Sequence, residues 1–125
     1  MNREELVYGE KNEESNLKKL TQAVVDFRNE RGWEKFHTPK DLAISLSLEA
    51  SELLENFQWK DSEESIQKNY DNIVDELADV MIYSLMLAEK IDIDPEEAIW
   101  NKLEKNKEKY PVDRVYGSNK KYTEY

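Results

Sequence analysis

Four carboxylates carry the clearest chemical signal in this sequence. Glu49 and Glu52 stand three residues apart, and so do Glu76 and Asp79. On a helix such residues share a face, so each pair points in one direction. Neither pair has a counter-charge beside it: no Lys or Arg falls between Asp41 and Trp59, and none between Asn69 and Glu89. Like charges at this spacing cost about 0.2–0.5 kcal/mol per pair even when exposed. Half-buried and unpaired, they cost roughly a few kcal/mol each, or they take up protons. A bound divalent cation removes that cost. An all-carboxylate ligand set suits the hard ions Mg²⁺ and Mn²⁺. A di-iron bundle would need two Glu-x-x-His elements. The one histidine, His37, belongs to no such element, and zinc is disfavoured for the same reason. A single Glu-x-x-Glu is common on solvated helix faces. Two pairs beside apolar stripes, both without basic neighbours, point to a metal.

These acids need helices to position them. From about Asn12 to Arg31, Leu17, Leu20, Val24 and Phe27 recur at helical spacing, and Gly32 reads as the stop. Thr38-Pro39 reads as an N-cap followed by a first-turn proline, with Asp41 at the capping-box position. The second helix then runs to about Trp59 with Leu42, Leu46, Ala50, Leu53 and Phe57 as its stripe. Ile44 and Leu48 lie on its other side, and a helix apolar on two faces sits centrally or at a subunit contact. Asp61 or Ser62 caps a third segment with the stripe Ile66, Tyr70, Ile73, Leu77, Met81, Ser84, Ala88 and Ile91, with room for a break near Tyr70-Asp71. Asp94-Pro95-Glu96-Glu97 opens a fourth helix that ends before Pro111. Packing the stripes of helices two and three brings the four acids towards one groove.

Short connections make neighbouring helices antiparallel, hence an all-α, four-helix-bundle-like fold in a single domain. Residues 1–12 read as an N-terminal arm, and 112–125 as a polar tail with little regular structure. The 125 residues fit one domain. Three Gly and three Pro are few for an all-β chain. The absence of cysteine excludes disulfides, thiolate metal sites and cysteine nucleophiles. No run of apolar residues is long enough to span a membrane, and the polar first residues do not resemble a signal peptide, so the expectation is a cytoplasmic protein with no membrane partner. The formal charge of −10 argues against a nucleic-acid partner.

Mg²⁺ held by a few carboxylates keeps positions open for substrate phosphates, which suggests phosphate-ester or phosphoanhydride chemistry. Positive charge collects elsewhere: Lys102, Lys105, Lys107, Lys109, Arg114, Lys120 and Lys121 stand against Glu104, Glu108 and Asp113. That segment can face phosphate or be a solvated mixed-charge helix. No Gly-rich phosphate loop is present. Trp33 and Trp59 follow helices one and two and can stack on a base, at roughly 1–3 kcal/mol per stack, or belong to the core.

The run Glu49-Ala-Ser-Glu52 followed by Glu76-Leu-Ala-Asp79 resembles the signature of the MazG-like nucleotide pyrophosphohydrolases. The wider text resembles their dCTP pyrophosphatase (RS-twenty-one-like) branch. The segments concerned are Arg31-Gly-Trp33-Glu-Lys-Phe-His37-Thr-Pro39, Glu52-Leu-Leu-Glu55-Asn-Phe-Gln-Trp59-Lys60 and Asp75 to Tyr83, with Lys102, Asn106 and Lys109-Tyr110-Pro111 and then Ser118 to Glu124 further on. The resemblance implies an all-α homodimer or homotetramer with its catalytic core between subunits. It implies Mg²⁺-dependent conversion of a nucleoside triphosphate, dCTP-like or non-canonical, to the monophosphate and pyrophosphate. Glu49, Glu52, Glu76 and Asp79 become the implied metal ligands. Trp33, His37, Trp59 and Tyr83 line the implied nucleoside pocket, and Lys90, Lys102, Asn106 and Lys109 the phosphate contacts. Leu48 stands where many relatives carry a further Glu, so Glu52, or Glu55 one turn on, substitutes as the water-activating base. Lys109 replaces a frequent Arg, and Val24 a pocket histidine of some relatives. The competing reading is a non-catalytic helical oligomerisation or regulatory module.

Overall fold

A computed structural model describes residues 15–118. Helix α1 spans Asn16–Glu30, α2 Pro39–Glu55, α3 Ser62–Lys90, α4 Pro95–Lys109 and α5 Val112–Val115; a single 3₁₀ turn covers Glu34–Phe36. There is no strand among the described residues, so the all-α expectation holds. The N-terminal arm expected over residues 1–12 lies outside them.

The helix starts follow the caps that the sequence offers. Ser15, Thr38, Asp61 and Asp94 each accept the backbone N–H three residues on, which satisfies one of the orphan donors of a first turn. Pro39 and Pro95 occupy first-turn positions, where no N–H is needed. Helix α1 stops in a Schellman arrangement. Gly32 takes φ 64°, its N–H reaches the Asn29 carbonyl at 3.0 Å, and the Trp33 N–H reaches Arg28 at 3.2 Å. That turn folds the Trp33 segment back along the helix it has just left.

Helix α2 ends at Glu55, four residues short of the expected Trp59. Its last turn tightens: Asn56, Phe57 and Gln58 donate to the carbonyls three residues back, and Trp59 enters the left-handed region at φ 65°. The expected break in the third helix falls at Asn69, with φ −118° and ψ 20°. The tail is more regular than expected, because Val112–Val115 forms a helical turn after Pro111.

The chain forms two compact units that meet at Ile93/Asp94. In the first, α3 is the shared element: it packs along α2 and against α1. Its core is thin. Val25, Leu42, Met86 and Ala88 are the buried apolar side chains, while Leu48, Leu54, Met81 and Leu77 remain 59%, 60%, 58% and 44% exposed. The second apolar face of α2 is therefore real and, in one chain, uncovered. The second unit holds α4 and α5, and no residue of these two helices is buried.

A buried ion pair ties α1 to α3. Arg28 is 1% exposed and donates from Nη1 to Glu89 Oε2 at 2.9 Å, while its Nε donates to Asn29 Oδ1. Removing one partner of a fully buried pair costs about 3–5 kcal/mol. The Glu89 side chain is 38% exposed, so water screens part of that interaction. Glu89→Ala is expected to lower the urea unfolding free energy by about 2 kcal/mol, and a change below about 0.5 kcal/mol would show that solvent satisfies Arg28 alone.

Candidate metal centre and adjoining pocket

The two helices that carry the acid pairs run side by side, so the pairs face each other. One carboxylate oxygen from each of Glu49, Glu76 and Asp79 lies within 4.8 Å of the others. All three side chains are half-buried. Glu49 Oε2 and Glu76 Oε2 are sealed from solvent, and neither accepts a hydrogen bond. Buried acceptors without a donor are rare and costly. A divalent cation would satisfy this arrangement: three carboxylates converge, two of them with a sealed oxygen that has no partner, and no ion pair to them is formed among the described residues. The residues fit a hard metal ion.

Glu52 stands beside the trio as its exposed member. It presses on both neighbours. Burial first, and then the Glu52 carboxylate, push Glu49 up to about 7, with Asp79 and Glu76 adding to the shift. Glu76 is raised for the same two leading reasons. The four acids thus form one electrostatic unit, as the spacing implied. Glu55, the last residue of α2, is exposed and is not among the converging three.

A cavity of about 400 Å³ opens next to this centre, within the size range of small-molecule sites. Its walls are Leu20, Val24 and Phe27 from α1 and Ile82 and Met86 from α3. Trp33 and His37 line it from the intervening turn, and Asp79 and Tyr83 also face it. Asp79 therefore belongs to both the acid cluster and the pocket. Tyr83 links them electrostatically: burial raises its phenol, and so do the Glu49, Asp79 and Glu52 charges. Trp33 meets Phe27 edge-on at 5.7 Å and His37 at 6.5 Å. Burial, then Arg28 and then Lys90, lower the His37 pKa, with Asp41 opposing. These influences favour the neutral ring, and its buried Nδ1 has no hydrogen-bond partner.

Of the residues singled out by sequence, Trp33, His37 and Tyr83 share the pocket. Trp59 does not line it; its indole is 98% exposed on left-handed backbone. Lys90 lies at the same end of the unit, with Nζ 3.7 Å from Glu34. Lys102, Asn106 and Lys109 sit on α4 in the second unit. Sequence reasoning missed part of the pocket wall. The resemblance places Val24 at a pocket position, but Leu20 and Phe27 read only as an apolar helix stripe, and they are 58% and 44% exposed. Periodicity marks an apolar face without saying whether protein or ligand covers it.

An all-helical unit that sets a carboxylate cluster able to hold a metal beside an aromatic-lined pocket has the makings of a small-molecule enzyme site. The comparisons with known proteins agree. Residues 44–125 match the model of the MazG-like family. The chain is 38% identical to dCTP pyrophosphatase 1 of Mus musculus, over 89% of this chain and 68% of that protein. It is 34% identical to the Homo sapiens protein of the same name, with the same coverage. The crystal structure of a pyrophosphatase from Archaeoglobus fulgidus superposes with a TM-score of 0.73 at 43% identity, covering 78% of this chain and 94% of that one. The chain belongs to the MazG-like family and is an enzyme of the nucleotide pyrophosphohydrolase type. No helix among the described residues is long and apolar enough to cross a membrane.

The crowding of acids sets a pH dependence. Glu49 has a folded pKa of about 7 against an ordinary value of 4.5. The folded state holds this proton more tightly than the unfolded state. The associated stability is present in full below pH 4.5 and is lost as pH rises through about 7. A divalent cation bound at Glu49 would replace that proton. In EDTA the melting temperature is expected to be lower at pH 8 than at pH 6, and added Mg²⁺ to raise it more at pH 8. A larger Mg²⁺ effect at pH 6 would contradict the assignment of Glu49 as a ligand.

Proposed function

We propose that the protein is a Mg²⁺-dependent nucleoside triphosphate pyrophosphohydrolase. It converts a (deoxy)nucleoside triphosphate to the monophosphate and pyrophosphate, as a house-cleaning activity on dCTP-like or non-canonical deoxynucleotides in the cytoplasm. The observation that carries this reading is the side chain of Asp79. It faces the convergent acids on one side and the aromatic-lined cavity on the other, so a triphosphate next to the acids has its nucleoside next to the pocket.

In this reading Glu49, Glu52, Glu76 and Asp79 hold the metal, with Mn²⁺ as a substitute. Bound Mg²⁺ neutralises the triphosphate and makes a nearby water more acidic. The rest falls to the chain's own groups. Trp33, His37 and Tyr83 receive the nucleoside: two rings offer stacking surface, and the neutral imidazole offers an unpaired ring nitrogen to a base edge. Glu52 is the base that orients the attacking water and takes its proton, since it is the exposed acid beside the cluster. Glu55 is the reserve candidate. Lys90 of the first unit, and Lys102, Asn106 and Lys109 on α4 of the second, are the phosphate contacts that the family resemblance implies: the lysines offer positive charge and Asn106 a neutral amide donor. Because Lys109 carries a point charge, it gives up the bidentate grip of an arginine.

A homodimer or homotetramer fits the uncovered apolar residues of α2 and α3. Trp59 supports the same reading: a fully exposed indole on left-handed backbone finds its ligand most readily in a pocket that a second copy completes.

Glu49→Gln and Asp79→Asn are expected to reduce pyrophosphate release from a dNTP panel by about 10²-fold or more, because each removes a metal-facing charge. Far-UV circular dichroism should stay unchanged. Full turnover in either variant would overturn the site, and release of orthophosphate instead of pyrophosphate would overturn the reaction.

A further inference from the structure

One polar cluster near the acids is used by nothing described so far. Asn56, the residue that caps the end of α2, is 7% exposed and bridges to α3. Every polar group it owns is engaged. Its N–H donates to the Leu53 carbonyl at 3.2 Å. Its side-chain amide donates to the Glu52 and Leu53 carbonyls, both at 3.3 Å. Its Oδ1 accepts from Asn72 Nδ2 at 2.7 Å, and its main-chain carbonyl accepts from Asn69 Nδ2 at 2.9 Å. Asn69 is the residue at which α3 leaves helical geometry. The kink and the cross-helix bond fall at one point.

The placement matters. Asn56 is one turn beyond Glu52 on α2, and Asn72 is one turn before Glu76 on α3. The two asparagines therefore stand one layer from the acids on both helices. We propose that Asn56, Asn69 and Asn72 form a clamp that sets the register of α2 against α3, and through it the spacing of Glu49, Glu76 and Asp79. Asn56 and Asn72 are positioning residues: they act on the metal centre through the helices that carry it.

Physical chemistry gives the clamp its purpose. A leucine at this seam would bury apolar surface, but apolar contacts tolerate small slides. Hydrogen bonds fix position within a few tenths of an ångström, and a buried amide is a known device for fixing helix register. Metal ligands need placement to about 0.5 Å. The acids themselves repel, so before a cation binds they push the two helices apart. The clamp resists that push where it is applied.

The proposal rests on the metal reading above, and its test separates the two. Mg²⁺ binding is measured by titration calorimetry on wild type, Asn72→Leu and the double variant Asn56→Leu/Asn72→Leu, with melting temperatures taken in EDTA. The single variant strands the Asn56 acceptor and should melt lower. The double variant removes both partners, so its EDTA melting temperature should return towards wild type. Mg²⁺ affinity should fall at least fivefold in both, and should not recover in the double variant. Turnover should drop through kcat, with KM for the dNTP within about twofold of wild type. Wild-type Mg²⁺ affinity in the refolded double variant would overturn the clamp. Absence of Mg²⁺ binding by the wild type would instead overturn the metal reading.

Discussion

The protein is organised around a repulsion. Glu49, Glu52, Glu76 and Asp79 come from two helices that share one seam, and their charges have no basic neighbour along either helix. Left to itself, that arrangement would open the seam or fill with protons. The shift of Glu49 to about 7 shows the second response, and the sealed, unpartnered oxygens of Glu49 and Glu76 show why a cation is the better one. A site of this kind costs stability when empty and recovers it when filled. Two features hold that seam closed: apolar contact along α2 and α3 and the polar cluster at Asn56; the Arg28–Glu89 pair separately ties α1 to the far end of α3.

The same helix serves two chemistries by turning. One face of α3 offers Glu76 and Asp79 to the acids of α2. The next offers Asp79, Ile82, Tyr83 and Met86 to the cavity against α1. Residues three and four apart lie on one stripe, and the stripe drifts around the helix, so Asp79 can belong to both faces. No separate loop is needed to bring metal and substrate pocket together. The precision of the arrangement is that of a helix backbone rather than of a loop.

Much of this was legible in the sequence because it rests on local rules. Caps at Thr38, Asp61 and Asp94 and the stop at Gly32 are contained within four or five residues, and the structure uses each of them. The acid pairs were legible because the absence of lysine and arginine is visible without coordinates. What escaped depends on partners far away in the chain. The early end of α2 comes from the tightened turn at Asn56 to Gln58, and Asn56 is itself held by Asn69 and Asn72. The double use of the α1 stripe escaped because Leu20 and Phe27 look like core from spacing alone. Whether such a stripe meets protein or a cavity is decided by the α1–α3 separation, which no local pattern encodes.

The charges around the pocket divide in a way that suits a nucleotide. The negative charge lies at the acid-cluster end, where a bound cation would turn it into an attraction for phosphate. The cavity is nearly all apolar or aromatic, and its one titratable nitrogen base, His37, is kept neutral by burial and by the nearby Arg28 and Lys90 charges. A charged imidazole there would pull phosphate into the wrong compartment. Arg28 cannot do so, because it is buried and paired with Glu89. Lys90 also has a carboxylate close by, at Glu34. Each of the two cations that lower the His37 pKa thus has a carboxylate of its own nearby. In the proposed reading the uncharged nucleoside, with its planar base, is the part that such a cavity would accept, and the triphosphate would face the acids.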